Sequence, residues 1–286
     1  RLITWGRLIV AAHMLEDVNR SADGVAAALD FPSGSAFRNS CQRYLQSTPQ
    51  QMRARGGAEY ATRRKQQARI NSLFAERFPE RKHTAEAAAW PRWFQRVVEQ
   101  NRELTALPAF AGNRATLIDD YRGSIDAMTA EIETATTFVH VGFFIVAWDD
   151  TTRQFFAAME RAVARGVTVR LLADHLSSAK LANSKRTFAE LDRIGVKWAW
   201  MLPVQPFKGK YQRPDLRNHR KLVVVDGRVG FMGSQNLIAR DYDSPKNIKR
   251  GLQWQELMTR LTGPVVASVN AVFLSDWLIE TGELLE

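Results

Sequence analysis

The order of apolar runs between residues 115 and 201 restricts the fold more than any other feature of the sequence. Stretches with apolar residues at every third or fourth position alternate there with short runs rich in Val, Leu and Trp. We predict helices near 119–134, at 151–165 and at 183–194, and strands at 137–147, 167–174 and 196–201. Gly166 and Gly195 end the second and third of these helices. This order predicts an α/β sheet with helices packed on its faces.

A hairpin is predicted after a loop at 203–218. Residues 221–225 and 229–232 form two apolar strands around Asp226-Gly227, which favours a tight turn. Residues two apart in a strand point to the same face, about 6–7 Å apart. His219 and Lys221 are therefore expected to project side by side.

An imidazole beside an ammonium group suits attack on a phosphodiester. A neutral His attacks phosphorus, and Lys holds positive charge where the equatorial oxygens gain negative charge. Such a site works without a metal, and no cluster of metal ligands is visible in the sequence, so no metal and no cofactor are expected. An ordinary hairpin with a solvated His and Lys at its start is the alternative interpretation of the His-x-Lys pair alone.

Four further residues make the run more specific. Asp226 can orient or charge-balance the pair. Gly233, Ser234 and Asn236 offer a close backbone approach, a hydroxyl and an amide, all suited to phosphate oxygens.

The N-terminal part of the chain is predicted to be helical. Residues 2–16 have helical spacing, Ser21 can cap a second helix, and Ser33 or Ser35 can cap a third that runs to about Leu45. Two short helices separated by a tight turn that contains Gly have the spacing of a helix-turn-helix. We predict three segments: a helical unit at 1–62, a basic helical linker at 63–112 that packs onto the following domain, and an α/β domain at 113–286 that carries the His-x-Lys pair.

The charge of the chain is uneven. The formal net charge is +10, but residues 1–100 hold 16 Lys/Arg and 9 Asp/Glu, against 24 and 21 in the remaining 186 residues. The N-terminal third is therefore expected to contact polyanions, either nucleic acid or an anionic membrane surface, with a merely solvated surface as the alternative.

Other sequence features bound the cellular setting. The single cysteine, Cys41, has no internal partner, which fits a reducing compartment. The longest apolar run, 138–148, is shorter than the ~18–20 residues that span a bilayer, and no signal peptide is visible. The sequence begins with Arg1 rather than Met, which is compatible with a fragment of a longer protein.

The His-x-Lys-x4-Asp run from His219 to Asp226, followed by Gly-Ser and Asn, resembles the signature of the phospholipase D superfamily. The amino-acid sequence is similar to that of bacterial cardiolipin synthases in five segments, 138–150, 211–227, 233–237, 263–266 and 276–277. The resemblance covers residues 64–286 and implies an α-β-α half with a central mixed sheet.

The resemblance also implies a reaction. One phosphatidylglycerol donates its phosphatidyl group to another and releases glycerol. His219 would become the phosphatidyl-histidine, and Asn218, Lys221, Gly233, Ser234 and Asn236 would hold the phosphate.

The sequence departs from the family at two places. The family usually has Glu where this chain has Gly142, and Tyr where it has Phe144. The family also has two His-x-Lys motifs, whereas no other histidine of this chain, at positions 13, 83, 140 and 175, has Lys two positions on. Either the chain is truncated, or two copies pair as the single-motif members of the superfamily do.

Residues 1–60 resemble the second helix-turn-helix of AraC-type transcription regulators. The matching sequence segments are 15–17, 25–31, 33–39, 48–49 and 52–53. The resemblance implies that a recognition helix faces the major groove with Ser35, Arg38, Asn39 and Arg43. Arg53 and Arg55 would meet phosphates. A small helical bundle with a solvated basic face is the alternative.

Three functions remain open at this point. The first is a phosphatidyltransferase of cardiolipin synthase type, incomplete without a second His-x-Lys half from a missing segment or a homodimer. The second is a phospholipase-D-type nuclease or phosphodiesterase dimer, and the third is a DNA-binding transcription regulator. The similarity around the motif favours the first. The expected partners are phosphatidylglycerol in an anionic membrane surface and DNA through residues 1–60, and the expected location is cytoplasmic, peripheral at the inner face of the cell membrane.

Overall fold

A computed structural model describes residues 2–45, 47–54, 57, 90–105, 110–205, 210–211, 217–283 and 285. The chain divides into two compact units, Arg1–Leu107 and Pro108–Glu286. Most of the predicted basic linker, residues 63–89 and 106–109, lies outside the described residues. The predicted division into three segments stays a prediction.

The first unit is helical throughout its described part. Its helices are α1 (Leu2–Met14), α2 (Ala22–Ala28), α3 (Gly34–Leu45), α4 (Pro49–Ala54) and α5 (Arg92–Thr105). The Ser21 hydroxyl accepts a hydrogen bond from Gly24 N and begins α2, and the Ser33 hydroxyl does the same for Ala36 N at the start of α3. A small core joins the first four helices through buried side chains that include Leu8, Leu15, Val25, Phe37, Cys41, Leu45 and Met52.

A seven-stranded mixed sheet forms the centre of the second unit. Its strands are β1 (Arg114–Ile118), β2 (Phe138–Phe143), β3 (Thr168–Asp174), β4 (Lys197–Met201), β7 (Leu222–Val225), β8 (Val229–Gly233) and β9 (Met258–Thr262), in the order β1-β9-β8-β7-β2-β3-β4. Strands β2, β3 and β4 are parallel, and every other pairing in this sheet is antiparallel. The two-residue strands β5 (Val204–Gln205) and β6 (Lys210–Tyr211) pair within the segment that was predicted to be a loop.

Helices cover both faces of this sheet. The described helices of the unit are α6 (Tyr121–Glu133), α7 (Arg153–Ala164), α8 (His175–Ala179), α9 (Ser184–Arg193), α10 (Pro245–Arg250) and α11 (Val265–Thr281). Alternate residues of β2, such as Val139 and Val141, pack against α6 and α7 in the larger core. On the opposite face, Leu222 and Val224 pack against Phe273 and Trp277 of α11. The predicted α/β class with an α-β-α arrangement is confirmed.

Two sequence predictions need correction here. The strand predicted over 137–147 ends at Phe143, because the next residues leave the sheet and Val146 pairs instead with Leu237. Strand β7 begins at Leu222, so Lys221 precedes the strand that it was predicted to begin. No helix among the described residues combines the length and the apolar character that a membrane span requires.

Candidate active site

His219 and Lys221 lie at the end of the sheet where the parallel strands β2, β3 and β4 have their carboxyl termini. Strand β7 runs antiparallel to β2, and Leu222 pairs with Gly142. The segment before β7 therefore meets the carboxyl end of β2, where Phe144 follows the strand. The pair shares the Phe144 ring: the His219 ring lies edge-on to it with centroids 4.5 Å apart, and Lys221 Nζ lies 5.4 Å from its centroid.

The Lys221 ammonium is almost fully enclosed. The residue is 1% exposed, and its Nζ donates a hydrogen bond to the His219 carbonyl at 2.8 Å. Burial lowers the pKa of Lys221 to about 8, although the negative charge of Glu256 opposes the shift. The site thus holds a cation close to its point of deprotonation.

His219 is exposed beside that cation. Partial burial and the Lys221 charge lower the pKa of His219 below its ordinary value, while Glu256 and Asp174 oppose the shift. A neutral ring is therefore favoured at pH 7, and a neutral ring has a lone pair for attack on phosphorus.

A chain of polar side chains extends from the site through Glu256, which the sequence analysis did not identify. Asn236 is 3% exposed; its amide oxygen accepts from Ile145 N at 3.0 Å, and its amide nitrogen donates to the Tyr242 hydroxyl at 2.9 Å. The Tyr242 hydroxyl donates in turn to Glu256 Oε1 at 3.0 Å. Burial raises the pKa of Tyr242 to about 12, so the hydroxyl remains a donor to the carboxylate.

The backbone at Tyr242 is strained. Tyr242 and Asp243 both have positive φ values, 62° and 49°, a conformation that is uncommon for residues other than glycine. Such strain persists only where the surroundings impose it. Here it accompanies the placement of the Tyr242 hydroxyl between Asn236 and Glu256.

The other predicted phosphate ligands make hydrogen bonds within the scaffold. The Asn218 amide nitrogen donates to Asp276 Oδ2 at 3.0 Å, and its oxygen accepts from Arg220 N. The Ser234 hydroxyl accepts from Leu257 N at 3.0 Å, which leaves its proton for another acceptor. Gly233 is needed for close packing, since a Cβ there would lie 2.1 Å from Leu257 O.

A buried ion pair supports the segment that carries His219. Asp174 at the end of β3 is fully buried, and its Oδ2 lies 2.6 Å from Arg217 Nη2 and 2.9 Å from Arg217 Nε. The pair ties the chain two residues before His219 to the same edge of the sheet. No local sequence pattern predicts this ion pair, because Asp174 and Arg217 are distant in the chain.

Asp226 lies at the other end of β7, at the turn to β8, so the structure does not bring it to the His219–Lys221 pair. Its carboxylate accepts hydrogen bonds from the backbone N–H groups of Thr136, Thr137 and Phe138. Burial raises the pKa of Asp226, but these bonds outweigh it and the pKa is lowered overall. The geometry gives Asp226 a role in joining the turn to the start of β2, in place of the predicted role at the pair.

The predicted DNA-binding residues share one exposed face of α3: Ser35, Arg38, Asn39 and Arg43. Arg38 Nη1 donates to Asp23 Oδ1 at 2.9 Å. The Arg53 guanidinium donates to the carbonyls of Leu15 and Arg20 at 2.6 and 2.5 Å, and its contact with a phosphate stays a prediction. Arg55 lies outside the described residues.

Within the described part of the chain, no group of three or more His, Cys, Asp and Glu side chains is arranged to hold a metal ion. The expectation of chemistry without a metal stays a prediction.

The mixed α-β-α sheet, with a histidine and a buried lysine where its parallel strands end, has the fold and the motif that are expected of an enzyme of the phospholipase D superfamily. A family model described as cardiolipin synthase, PLD-like domain, matches residues 128–277, more than half of the chain. The chain therefore belongs to the family of cardiolipin synthase PLD-like domains, and the resemblance to cardiolipin synthases is confirmed. The resemblance of residues 1–60 to AraC-type regulators stays a prediction.

Curated relatives agree with this family. Cardiolipin synthase A of Pectobacterium carotovorum subsp. carotovorum (strain PC1) is 30% identical over 178 residues, which cover 61% of this chain and 35% of the relative. Cardiolipin synthase A of Yersinia pseudotuberculosis serotype IB (strain PB1/+) is 29% identical over 220 residues, 68% of this chain and 44% of the relative. The chain thus spans less than half the length of the curated relatives that it matches.

Solved structures are more distant. Nuc from Salmonella typhimurium, a phospholipase D family member, has a TM-score of 0.43 at 15% identity and covers 58% of this chain and 94% of its own. NucT from Helicobacter pylori has a TM-score of 0.42 at 15% identity and covers 57% of this chain and 94% of its own.

Proposed function

We propose that this chain carries one half of a phosphatidyl-transfer site of cardiolipin synthase type, with His219 as its nucleophile. The observation that carries the proposal is the position of the exposed His219 imidazole beside the enclosed Lys221 ammonium, with both groups against the Phe144 ring. Phosphatidylglycerol is the proposed donor, as the similarity to cardiolipin synthases suggests.

The step is a displacement at phosphorus. A ring nitrogen of His219 bonds to phosphorus while the bond from phosphorus to the glycerol oxygen breaks. Lys221 stabilises the negative charge that gathers on the phosphoryl oxygens, and the Ser234 hydroxyl can donate to one of them. The departing glycerol oxygen takes a proton from an acid. A hydroxyl of a second phosphatidylglycerol then loses its proton to the conjugate base of that acid, attacks phosphorus and releases His219.

The acid is proposed to come from a second half-site. Of the other described histidines, His13 belongs to the helical unit, and His140 is buried beneath α11 at 3% exposure. His175 accepts from Val204 N at 3.3 Å and packs edge-on to Trp200. A further segment of a longer protein or a second copy of this chain therefore supplies the acid in this proposal.

The test is incubation of the purified chain with radiolabelled phosphatidylglycerol. Formation of cardiolipin or phosphatidic acid, together with an acid-labile adduct on the peptide that contains His219, supports the proposal. His219→Ala should abolish both signals, and His13→Ala, which changes an exposed histidine of the helical unit, should retain them. Turnover that survives in His219→Ala refutes the nucleophile assignment. Specific activity that rises with protein concentration indicates that two copies form the site.

Nuclease activity is the alternative, and it is tested by incubating the same proteins with single- and double-stranded DNA. If DNA is cleaved in a reaction that depends on His219 and no lipid product forms, the substrate is a nucleic acid rather than a phospholipid.

A second function, DNA binding through α3, is favoured by one observation: Ser35, Asn39 and Arg43 lie on one exposed face of a helix that follows α2 and a tight turn. Fluorescence anisotropy with random duplex DNA at low salt tests it. Asn39→Ala/Arg43→Ala should weaken binding, and an equal affinity for the wild type and this variant refutes an interface on α3.

A further inference from the structure

Large apolar side chains are exposed within α10 and in the segment that joins α10 to β9. Ile248, Leu252, Trp254 and Leu257 are 58%, 45%, 54% and 47% exposed. We call these four residues, together with the basic residues of α10, the 246–257 surface. Large apolar side chains that lie this close together in exposed positions mark an interaction site more often than isolated ones do.

The charge of α10 narrows the choice of partner. Lys246, Lys249 and Arg250 make up half of this six-residue helix, which has no acidic residue. Their spacing of three and four positions places them on one side of the helix. None of the three forms an ion pair with a carboxylate in the part of the chain that the structure describes. The exposed acid that precedes the helix, Asp243, lies 3.5 Å from the Asn183 amide.

Basic side chains beside exposed Trp, Leu and Ile form the combination that binds the interface of an anionic bilayer. The cations attract the lipid headgroups, and the apolar side chains enter the boundary with the acyl chains. A second copy of this chain is a poorer fit, because a two-fold interface would bring each α10 and its three cations towards a like-charged surface.

The surface continues into the candidate active site. Leu257 N donates to the Ser234 hydroxyl, and Ser234 N donates to Leu257 O at 2.9 Å. The Trp254 ring lies 5.7 Å from that of Tyr242, whose hydroxyl bonds to Glu256. A bilayer that rests on Trp254 and Leu257 would therefore hold its phosphodiester groups beside the edge that carries His219.

We propose that the 246–257 surface docks this domain onto an anionic phospholipid bilayer and so presents the headgroup phosphate to His219. The inference rests on the proposed phosphatidyl transfer, since a membrane-embedded substrate is what gives the surface its use.

The first measurement is cosedimentation with vesicles of phosphatidylglycerol and phosphatidylcholine. Each basic residue near an anionic surface contributes about 1 kcal/mol, so Lys246→Gln/Arg250→Gln should lower the partition coefficient by about 30-fold. The matched control is Arg114→Gln/Lys197→Gln, which removes the same charge. These two residues lie where β1 and β4 begin, at the end of the sheet opposite to His219. An equal loss in both variants, or no loss in either, overturns the proposal.

The second measurement separates this surface from the basic N-terminal third. A polarity-sensitive fluorophore is attached at Leu252→Cys, and for reference at Lys197→Cys; the native Cys41 is buried. Phosphatidylglycerol vesicles should shift the emission to the blue at position 252 only. Absence of a shift at 252 refutes docking here, and a shift that requires high protein concentration rather than vesicles assigns the surface to a second copy.

Activity on dispersed short-chain phosphatidylglycerol distinguishes the two proposals. If the protein is active on this soluble substrate but does not dock onto vesicles, only the proposed docking surface is refuted. If the protein docks but shows no activity that depends on His219, the proposed phosphatidyl transfer is refuted and the lipid-binding surface is retained.

Discussion

Replacement of Asp226 by Asn separates a role in the fold from a role in catalysis. The carboxylate accepts from the N–H groups of Thr136, Thr137 and Phe138 at 2.8–2.9 Å, and from the Thr136 hydroxyl at 3.0 Å. Asn tolerates the positive φ of 51° at this position, so the variant tests the carboxylate rather than the turn conformation.

The structure sets the size of the expected effect. A hydrogen bond to a charged group contributes about 1.5–3 kcal/mol, but these bonds share one partly exposed carboxylate and do not add. Asp226→Asn should therefore lower the free energy of unfolding by about 2 kcal/mol. For a domain of this size that corresponds to a fall in Tm of about 4–8 °C.

The pH dependence carries a sign. The pKa of Asp226 is lowered in the folded state, so its contribution is present above the unfolded value, about 3.9, and is lost as pH falls through the folded value. The difference between wild type and variant should be constant above about pH 5 and should shrink in more acid solution.

Urea unfolding and thermal melts measure the stability, and turnover per folded molecule measures the catalysis. Asp226→Asn should keep kcat/KM within about threefold, because the residue lies at the far end of β7 from the His219–Lys221 pair. Asp126→Asn is the control: this exposed residue lies 3.5 Å from Arg122, and its loss should cost less than about 1 kcal/mol. An unchanged Tm together with a hundredfold loss of kcat/KM would refute the reasoning.

Three further results are expected. The pH profile of kcat/KM should be bell-shaped. His219 should set the acid limb, below the ordinary pKa of histidine, and Lys221 should set the alkaline limb near pH 8. Lys221→Arg should move only the alkaline limb to higher pH, and an alkaline limb that does not move contradicts the assignment to Lys221. Glu256→Gln should shift both limbs to lower pH, because Glu256 raises the pKa of both groups, and an upward shift would show that its charge does not reach them. Burial lowers the pKa of His140 to about 4, so about 3 kcal/mol of stability, present above pH 6.5, is lost as pH falls towards 4. Urea melts should show this slope in wild type and in His13→Gln but not in His140→Gln, and an equal slope in all three contradicts it.

The sequence predicted those elements whose pattern is local. The helices predicted at 119–134, 151–165 and 183–194 are present, with ends shifted by a few residues. They were predictable because each has one apolar face and a capping Asp or a terminal Gly. Helix α11 has no polar face, and β1 has four exposed residues of five, so neither shows the expected period. Their positions depend on partners far away in the sequence.

The site was predictable to the same extent. His219 and Lys221 lie in one short motif and could be identified from it. Glu256 precedes β9 and Asp174 ends β3, so both come from distant parts of the chain, and no local pattern predicts Glu256 or the Asp174–Arg217 pair. Asp226 belongs to the motif by spacing, yet a four-residue strand carries it to the opposite edge of the sheet.

The pairing of β1 with β9 sets the timing of folding. The paired residues are far apart in the sequence: Ile118 and Met258 are separated by 140 positions, and contacts of this kind form slowly during folding. At the ordinary rate of translation, β1 is synthesised about 7–30 s before its partner strand exists. The helices of the first unit have near neighbours and need no such wait. On the ribosome, β1 is therefore an unpaired strand for this interval, with Leu117 on its surface.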